Sequence, residues 1–450
     1  MSTFPIPPNN TRIGFHYYPD TIHYRESDLQ TWLPELRSLG ASWLALQAPA
    51  DRAIPERFLM GLLSNGIEPV LHFTLPLHTP PPVKDLNFLF ETYARWGVHY
   101  IILFNRPNTR AAWSPTAWAQ SDLVERFLDR FIPLAETACQ SGLTPVFSPL
   151  TPGGDYWDTS FLRVALQAIE RRGHYHLLDH LALAAYAEAG DRPLNWGCGG
   201  PERWPDSRPY ATPAGGQDQR GFRIFDWYIA ISQAVIGEAR PVLLLGLRSW
   251  SSPKSKSAYG QDAHLRRTLA MAQALAADSL PRTFSQAKIA PEEPLDPLPP
   301  EVLAGHFWLL TTSSNSPQTD AVWYRPGGPP QPGVRALRQL AASLIQPIGT
   351  GKKSIHYSEK YSVIQHYLLL PSFDWGVADW YLQAARPFIK RHLPTVGFSL
   401  AEAAQATRVT VVGGEQFFSD EDLRNLRASG CIVERINGDG MSIATQLADR

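Results

Sequence analysis

GVHYIILFNRPNTR, residues 97–110, is the stretch on which the fold turns. From Tyr100 to Phe104 every residue is apolar, as in a strand buried on both faces of a parallel sheet rather than one with a solvated side. Gly97 ends an amphipathic helix (DLNFLFETYARWG, 85–97), and Pro107, which has no N–H to give a ladder, ends the strand. Helix, buried strand, loop and a further helical stretch over 121–141 make one turn of a βα repeat.

The same unit recurs on either side. Strands are predicted at RIGFHYYPD (12–20), SWLALQAP (42–49), EPVLHFTLP (68–76), VHYIILFN (98–105), TPVFSPL (144–150), HLALAAYAE (180–188), RPVLLLGL (240–247) and AGHFWLLTT (304–312). Helices fill the intervals, the last at GVRALRQLAASL (333–344), and Gly40 and Gly66 stand where two of them should stop. Eight such units predict an α/β fold, a (β/α)8 TIM barrel, over residues 1–347. The loop 190–221, rich in Gly, Pro, Trp and charge, follows the sixth strand at the C-terminal face, where long ordered loops shape binding sites. APEEPLDPLPPE (290–301) reads as a stiff connector on the opposite face. A polar linker is expected over 348–360, then a small doubly wound α/β domain over 361–450.

With 41 basic and 42 acidic residues the net charge is -1, which gives no electrostatic reason to expect nucleic acid or an anionic membrane surface as partner. The aromatic share of 11% fits both a well-packed core and a cleft that stacks on pyranose faces. Cys139, Cys198 and Cys431 lie far apart without metal spacing. An odd count excludes a full disulfide framework and leaves one bridge open. The opening residues lack a basic region followed by an apolar run, so no signal peptide is expected, and no stretch is apolar enough to span a membrane.

The barrel resembles the clan A glycoside hydrolases. The resemblance rests on the fourth-strand ending Asn105-Arg106-Pro107-Asn108, on Tyr186 at the end of strand six, on Trp308 in strand eight, and on the closing segment AVWYRPGGPPQPGVRALRQL (321–340). It implies catalytic Glu residues at the ends of strands four and seven. Here the fourth-strand position holds Arg106, and RPVLLLGLRSW (240–250) contains no carboxylate. A retaining mechanism needs two carboxyl groups about 5–5.5 Å apart. A guanidinium, protonated at any working pH, replaces neither.

The expected ligand-binding set is Asn105, Arg106, Arg248, Tyr186, Trp308, His16 and His72. Arg106 and Arg248 face each other across the barrel mouth and favour an anionic saccharide. In the competing reading each arginine pairs with Asp155, Asp158 or Glu188 and holds loops. Those three acids are also the candidates for a non-standard catalytic pair, with Asp20 a further acid at that face. His16 and His72 with Asp20 do not form a recognised metal motif, and neither metal nor cofactor is expected.

The last 45 residues resemble the cell-wall-binding repeat type 2 of Gram-positive surface proteins. The match runs Val411-Val412-Gly413-Gly414, Ser419, Leu423, Leu426, Gly430, Val433-Glu434-Arg435-Ile436, Gly438-Asp439 and Ile443-Ala444, and departs from the pattern at Gly440-Met441. This resemblance implies binding to anionic wall polymers and an envelope or extracellular setting. Self-association through this domain is a further expectation. Three functions therefore stand: a glycan-binding barrel without the standard catalytic pair, an active hydrolase using other carboxylates, and an assembly protein whose mouth is plugged by the loop 190–221.

Overall fold

The computed structural model describes residues 4–249, 258–277, 295–344, 364–372, 379–429 and 431–448. By its internal contacts the chain divides into two compact units, 1–348 and 349–450. The linker expected over 348–360 lies outside the described residues, as does the Pro-rich run before Leu295.

The first unit is a closed barrel of eight parallel strands: β1 (Ile13–His16), β2 (Trp43–Gln47), β3 (Glu68–His72), β4 (Tyr100–Ile102), β5 (Thr144–Leu150), β6 (Ala182–Tyr186), β7 (Val242–Leu247) and β8 (Val302–Phe307). Each strand pairs with its successor, and β8 closes on β1 in the register Ile13↔Gly305, Phe15↔Phe307. Alternation sorts the side chains. Trp43, Val70, Tyr100, Ile102, Val146, Ala184 and Leu245 fill the barrel, while Phe15, Leu44, Leu71 and Phe147 face the helices. The helix Leu123–Gln140 buries Val124, Phe127, Leu128, Phe131 and Ile132 at helical spacing against that outer layer. Gly40 and Gly66 have φ of 69° and 71°, the left-handed geometry of a helix stop.

The barrel floor is shut by the N-terminal segment: Tyr100 donates to the Pro5 carbonyl at 2.6 Å and the Trp43 indole to Asn10 Oδ1 at 2.7 Å. The seam between the ends of the barrel is also tied outside the sheet. Glu35, in the helix Glu26–Ser38, accepts from the Tyr324 hydroxyl at 2.5 Å and from Arg338 of the helix Pro332–Leu344.

The second unit is a four-stranded parallel sheet of β9 (Ile364–Leu369), β10 (Thr395–Gly397), β11 (Ala406–Val412) and β12 (Ile432–Ile436), in the order β10-β9-β11-β12. The helices Asp379–His392 and Gly440–Ala448 bury Tyr381, Phe388, Ile443 and Leu447 on one face. Leu400–Ala403 and Asp420–Ala428 bury Ala403, Leu423 and Leu426 on the other. Ser419 caps the helix Asp420–Ala428: Asp422 N donates to Ser419 Oγ at 3.1 Å, and Ser419 N donates to Asp422 Oδ2 at 2.8 Å. Ser419→Ala is expected to cost about 1 kcal/mol in urea unfolding of this unit.

Candidate functional site

All eight strands of a parallel barrel finish at one rim, and the residues there follow from strand phase. His16, His72 and Tyr186 are the last residues of β1, β3 and β6 and are buried inside the upper barrel. Asn105 and Arg106 follow β4, Arg248 follows β7 and Trp308 follows β8.

Tyr186 donates to Asn105 Oδ1 at 2.8 Å, and the exposed Arg106 guanidinium lies over the Tyr186 ring, 4.3 Å from its centroid. Among the described residues no carboxylate pairs with Arg106. Its backbone turns through φ 53°, unusual for a side chain with a Cβ. Arg106 N donates to the Pro149 carbonyl at 2.9 Å, and its own carbonyl accepts from Thr109 Oγ1 at 2.9 Å. The turn is braced further by Asn108, fully buried. Its amide bonds Thr151 N at 2.8 Å and the carbonyls of Thr151 and Tyr156 at 2.9 Å each, so the exits of β4 and β5 form one piece.

Arg248 takes the other role foreseen for a rim arginine. It pairs with Glu188 at 3.0 Å, and its guanidinium lies 6.0 Å from the Trp308 ring centroid. The His16 ring lies 4.9 Å from Trp308, and His16 Nε2 accepts from Gly246 N at 3.0 Å, which makes that nitrogen the unprotonated one. Burial lowers the pKa of His16 well below the usual range, with His306, His72 and Arg248 adding to the shift. Burial also takes His72 down to about 4, opposed by a hydrogen bond to the Phe104 backbone. His72 Nε2 is buried without a hydrogen-bond partner among the described residues. At neutral pH these imidazoles are acceptors, not cations. Among the described residues no three His, Cys, Asp or Glu side chains are grouped to hold a metal ion, and Asp20 instead accepts from His23 Nδ1 at 2.7 Å. The three cysteines are free.

The remaining acids are accounted for differently from one another. Asp155 bonds the Arg110 backbone N–H at 2.9 Å and lies 3.5 Å from its guanidinium, away from Arg106. Asp158 is fully buried and accepts from Gly153 N at 2.8 Å, Gln219 Nε2 at 2.6 Å and the Tyr228 hydroxyl at 3.2 Å. Burial pushes its pKa up to about 6 against those three donors. Gln219 belongs to the loop 190–221, which thus folds back onto the turn after β5, with Tyr210 donating toward Asp155 O at 3.4 Å.

Two features escaped the sequence reading. One is a cavity of about 660 Å³ beside the mouth, lined by Arg248, His264, Trp308, Trp323, Arg325 and Gln331 among others. Its signal was present in AVWYRPGG, read only as barrel closure. The other is Gly246, at φ 65° where β7 slips register against β8. A Cβ there meets Tyr186 Cδ1 at 3.1 Å. Gly246→Ala is expected to cost about 1–3 kcal/mol in thermal unfolding, since alanine must adopt a left-handed backbone under a fixed ring.

No protein-family model matches the chain, and no curated protein matches its sequence. Solved structures similar to it include a family 39 glycoside hydrolase from Bacteroides cellulosilyticus WH2, at 12% identity and a TM-score of 0.47 over 76% of this chain and 66% of that one. A psychrophilic family 10 endo-β-1,4-xylanase matches at 9% identity and a TM-score of 0.42, over 72% of this chain and 96% of that one. An endo-β-1,4-glucanase from Xanthomonas axonopodis pv. citri matches at 12% identity and 0.38, over 72% and 92%. The chain spans slightly less than two thirds of the family 39 protein. These neighbours are glycoside hydrolase barrels, and similarity at this level assigns no residue a role.

Proposed function

We propose that the barrel binds a saccharide carrying carboxylate or other anionic groups, and that it does so without cleaving it by the retaining route. The observation that carries this reading is the cation at the mouth. Arg106 follows β4 with no carboxylate paired to it among the described residues, and Arg248, paired with Glu188, follows β7. Those are the two strands where a retaining pair of carboxylates would be needed. The other acids do not make good the loss. Glu188 is engaged by Arg248, and Asp155 by Arg110. Asp158, whose pKa of about 6 suits a general acid, is fully buried behind Gly153, Gln219 and Tyr228 and reaches no glycosidic oxygen.

In this reading Arg106, exposed and steadied on Tyr186, meets a ligand carboxylate with two parallel N–H donors. Trp308 supplies a flat wall, and neutral His72 offers its unpartnered Nε2 as an acceptor to a sugar hydroxyl, while the acceptor nitrogen of His16 is taken up by Gly246 N. The C-terminal unit is proposed as an attachment module for an envelope polymer, on its Val-Val-Gly-Gly strand ending and capped helix. The helix end itself is not the anion contact, because Ser419 and Asp422 already occupy its first donors and Asp420, Glu421 and Asp422 make it acidic.

Isothermal titration of the full chain with trigalacturonate and with cellotriose tests the barrel assignment. Binding of the acidic trimer at micromolar to millimolar Kd, weaker binding of the neutral one and no new reducing ends is the expected result. Absence of binding to both, or turnover lost on neutralising Glu188, overturns it.

A further inference from the structure

The turn Arg208-Pro209-Tyr210-Ala211 is an unusual place for an aromatic. Ala211 N donates to the Arg208 carbonyl at 3.0 Å and Arg208 N returns a bond to Ala211 O at 2.9 Å, closing a tight turn. Proline at the second position and φ of 64° at the third are the marks of a type II turn, whose third residue is ordinarily glycine or asparagine. Tyrosine there strains the backbone. Local packing returns little for that strain, since Tyr210 remains 63% exposed.

The ring is nevertheless held in one orientation. Trp157 N donates to the Tyr210 hydroxyl at 2.7 Å, and the Trp157 ring lies 5.3 Å from that of Tyr210, at 52°. Trp157 is itself fixed, with the Arg220 guanidinium 5.3 Å from its ring. Tyr156, next in the chain, is bonded through its carbonyl to Asn108, two residues beyond Arg106. The exposed ring is therefore part of the same braced assembly as the β4 exit, on the outer side of the turn after β5.

We infer that Tyr210 is an outer stacking platform for the same glycan, taking the flat face of a sugar ring further along the chain than the one at Arg106. The inference rests on the saccharide-binding reading of the mouth. It adds that the ligand is a polymer rather than a single sugar, because a pinned, solvent-facing ring tied to the turn after β5 suits a chain that extends beyond the mouth. A tyrosine side chain suits this, presenting an apolar face at low cost in side-chain entropy while its hydroxyl holds the tether.

The test compares tri- and hexagalacturonate, with cellotriose and cellohexaose as neutral counterparts, on wild type, Tyr210→Gly and Tyr210→Phe. Glycine relieves the turn and removes the ring. Phenylalanine keeps the ring and cuts its tether. Wild type is expected to bind the hexamer about tenfold more tightly than the trimer. Tyr210→Gly removes that advantage, leaves trimer affinity unchanged and shifts the melting temperature by less than about 2 °C. Tyr210→Phe keeps part of the advantage. Equal affinity for trimer and hexamer in wild type overturns the inference while leaving the mouth assignment intact. So does a hexamer advantage that survives in Tyr210→Gly. A wild type that binds no saccharide of either length removes both readings at once, which separates the two failures.

Discussion

Arg106→Ala raises the Kd for trigalacturonate by roughly 10- to 150-fold and changes the affinity for cellotriose by less than about threefold. The size comes from the loss of a charge-assisted pair of hydrogen bonds, about 1.5–3 kcal/mol. The selectivity follows from geometry. Arg106 is a rim cation that lies on a tyrosine instead of facing a carboxylate, so the donors it does not give to Tyr186 remain for a ligand. Arg248, by contrast, already shares Glu188, and Arg248→Ala is expected to act less through charge than through release of that acid. Arg106→Lys restores the charge but not the planar fork, and recovers only part of the affinity. Equal losses for acidic and neutral trimers in Arg106→Ala, measured by calorimetry, would show that the residue shapes the rim and does not read charge.

The second large effect is on stability. Asp158→Ala leaves the Gly153 N–H, the Gln219 amide and the Tyr228 hydroxyl without their shared acceptor in a fully buried position. That is expected to cost about 3–5 kcal/mol. Asp158→Asn keeps an oxygen for two of the three donors and costs far less. The two variants also differ in pH response. The folded pKa of Asp158, about 6, lies above the value of about 3.9 for an exposed Asp. Between those values the folded protein binds a proton that the unfolded chain has lost. The group's contribution is thus most favourable below pH 4, falls as pH rises from 4 to 6, and is level above 6. The fall is roughly 3 kcal/mol by that difference in pKa. Wild type should therefore lose stability relative to Asp158→Asn across this window in urea titrations. Parallel curves for the two proteins would mean that Asp158 is ionised throughout.

The barrel was legible in the sequence because each layer has its own period. Strands buried on both faces read as unbroken apolar runs, and the helices between them repeat at helical spacing, so the first seven strands fall within the predicted stretches, while β8 and the closing helix begin two residues and one residue ahead of theirs. Their lengths were read too generously. The run 98–105 supplies a ladder only at Tyr100–Ile102, since beyond it Leu103 O bonds Leu75 N where the chain is already leaving the sheet. Which residues reach the rim was also legible, because strand phase and the parallel barrel determine it. Partners were not. Nothing in the spacing tells that Arg248 meets Glu188, 60 positions earlier, while Arg106 meets a ring, or that Asp158 is buried and Asp155 half exposed in the same PGGDYWD turn. Those outcomes depend on how the loop 190–221 folds back, and Gln219 and Tyr210 lie too far along the chain for local pattern to place them.

The seam at Glu35 bears on how the chain is made. Glu35, Tyr324 and Arg338 meet across about three hundred residues, and β1 has no partner on one side until β8 has been synthesised. A nascent chain halted before residue 302 carries two raw sheet edges, the kind of surface that joins wrong neighbours. Ribosome-stalled intermediates of this protein should therefore engage chaperones until the eighth strand emerges, and closure should come late, as one slow step set by the distance between the chain segments that must meet.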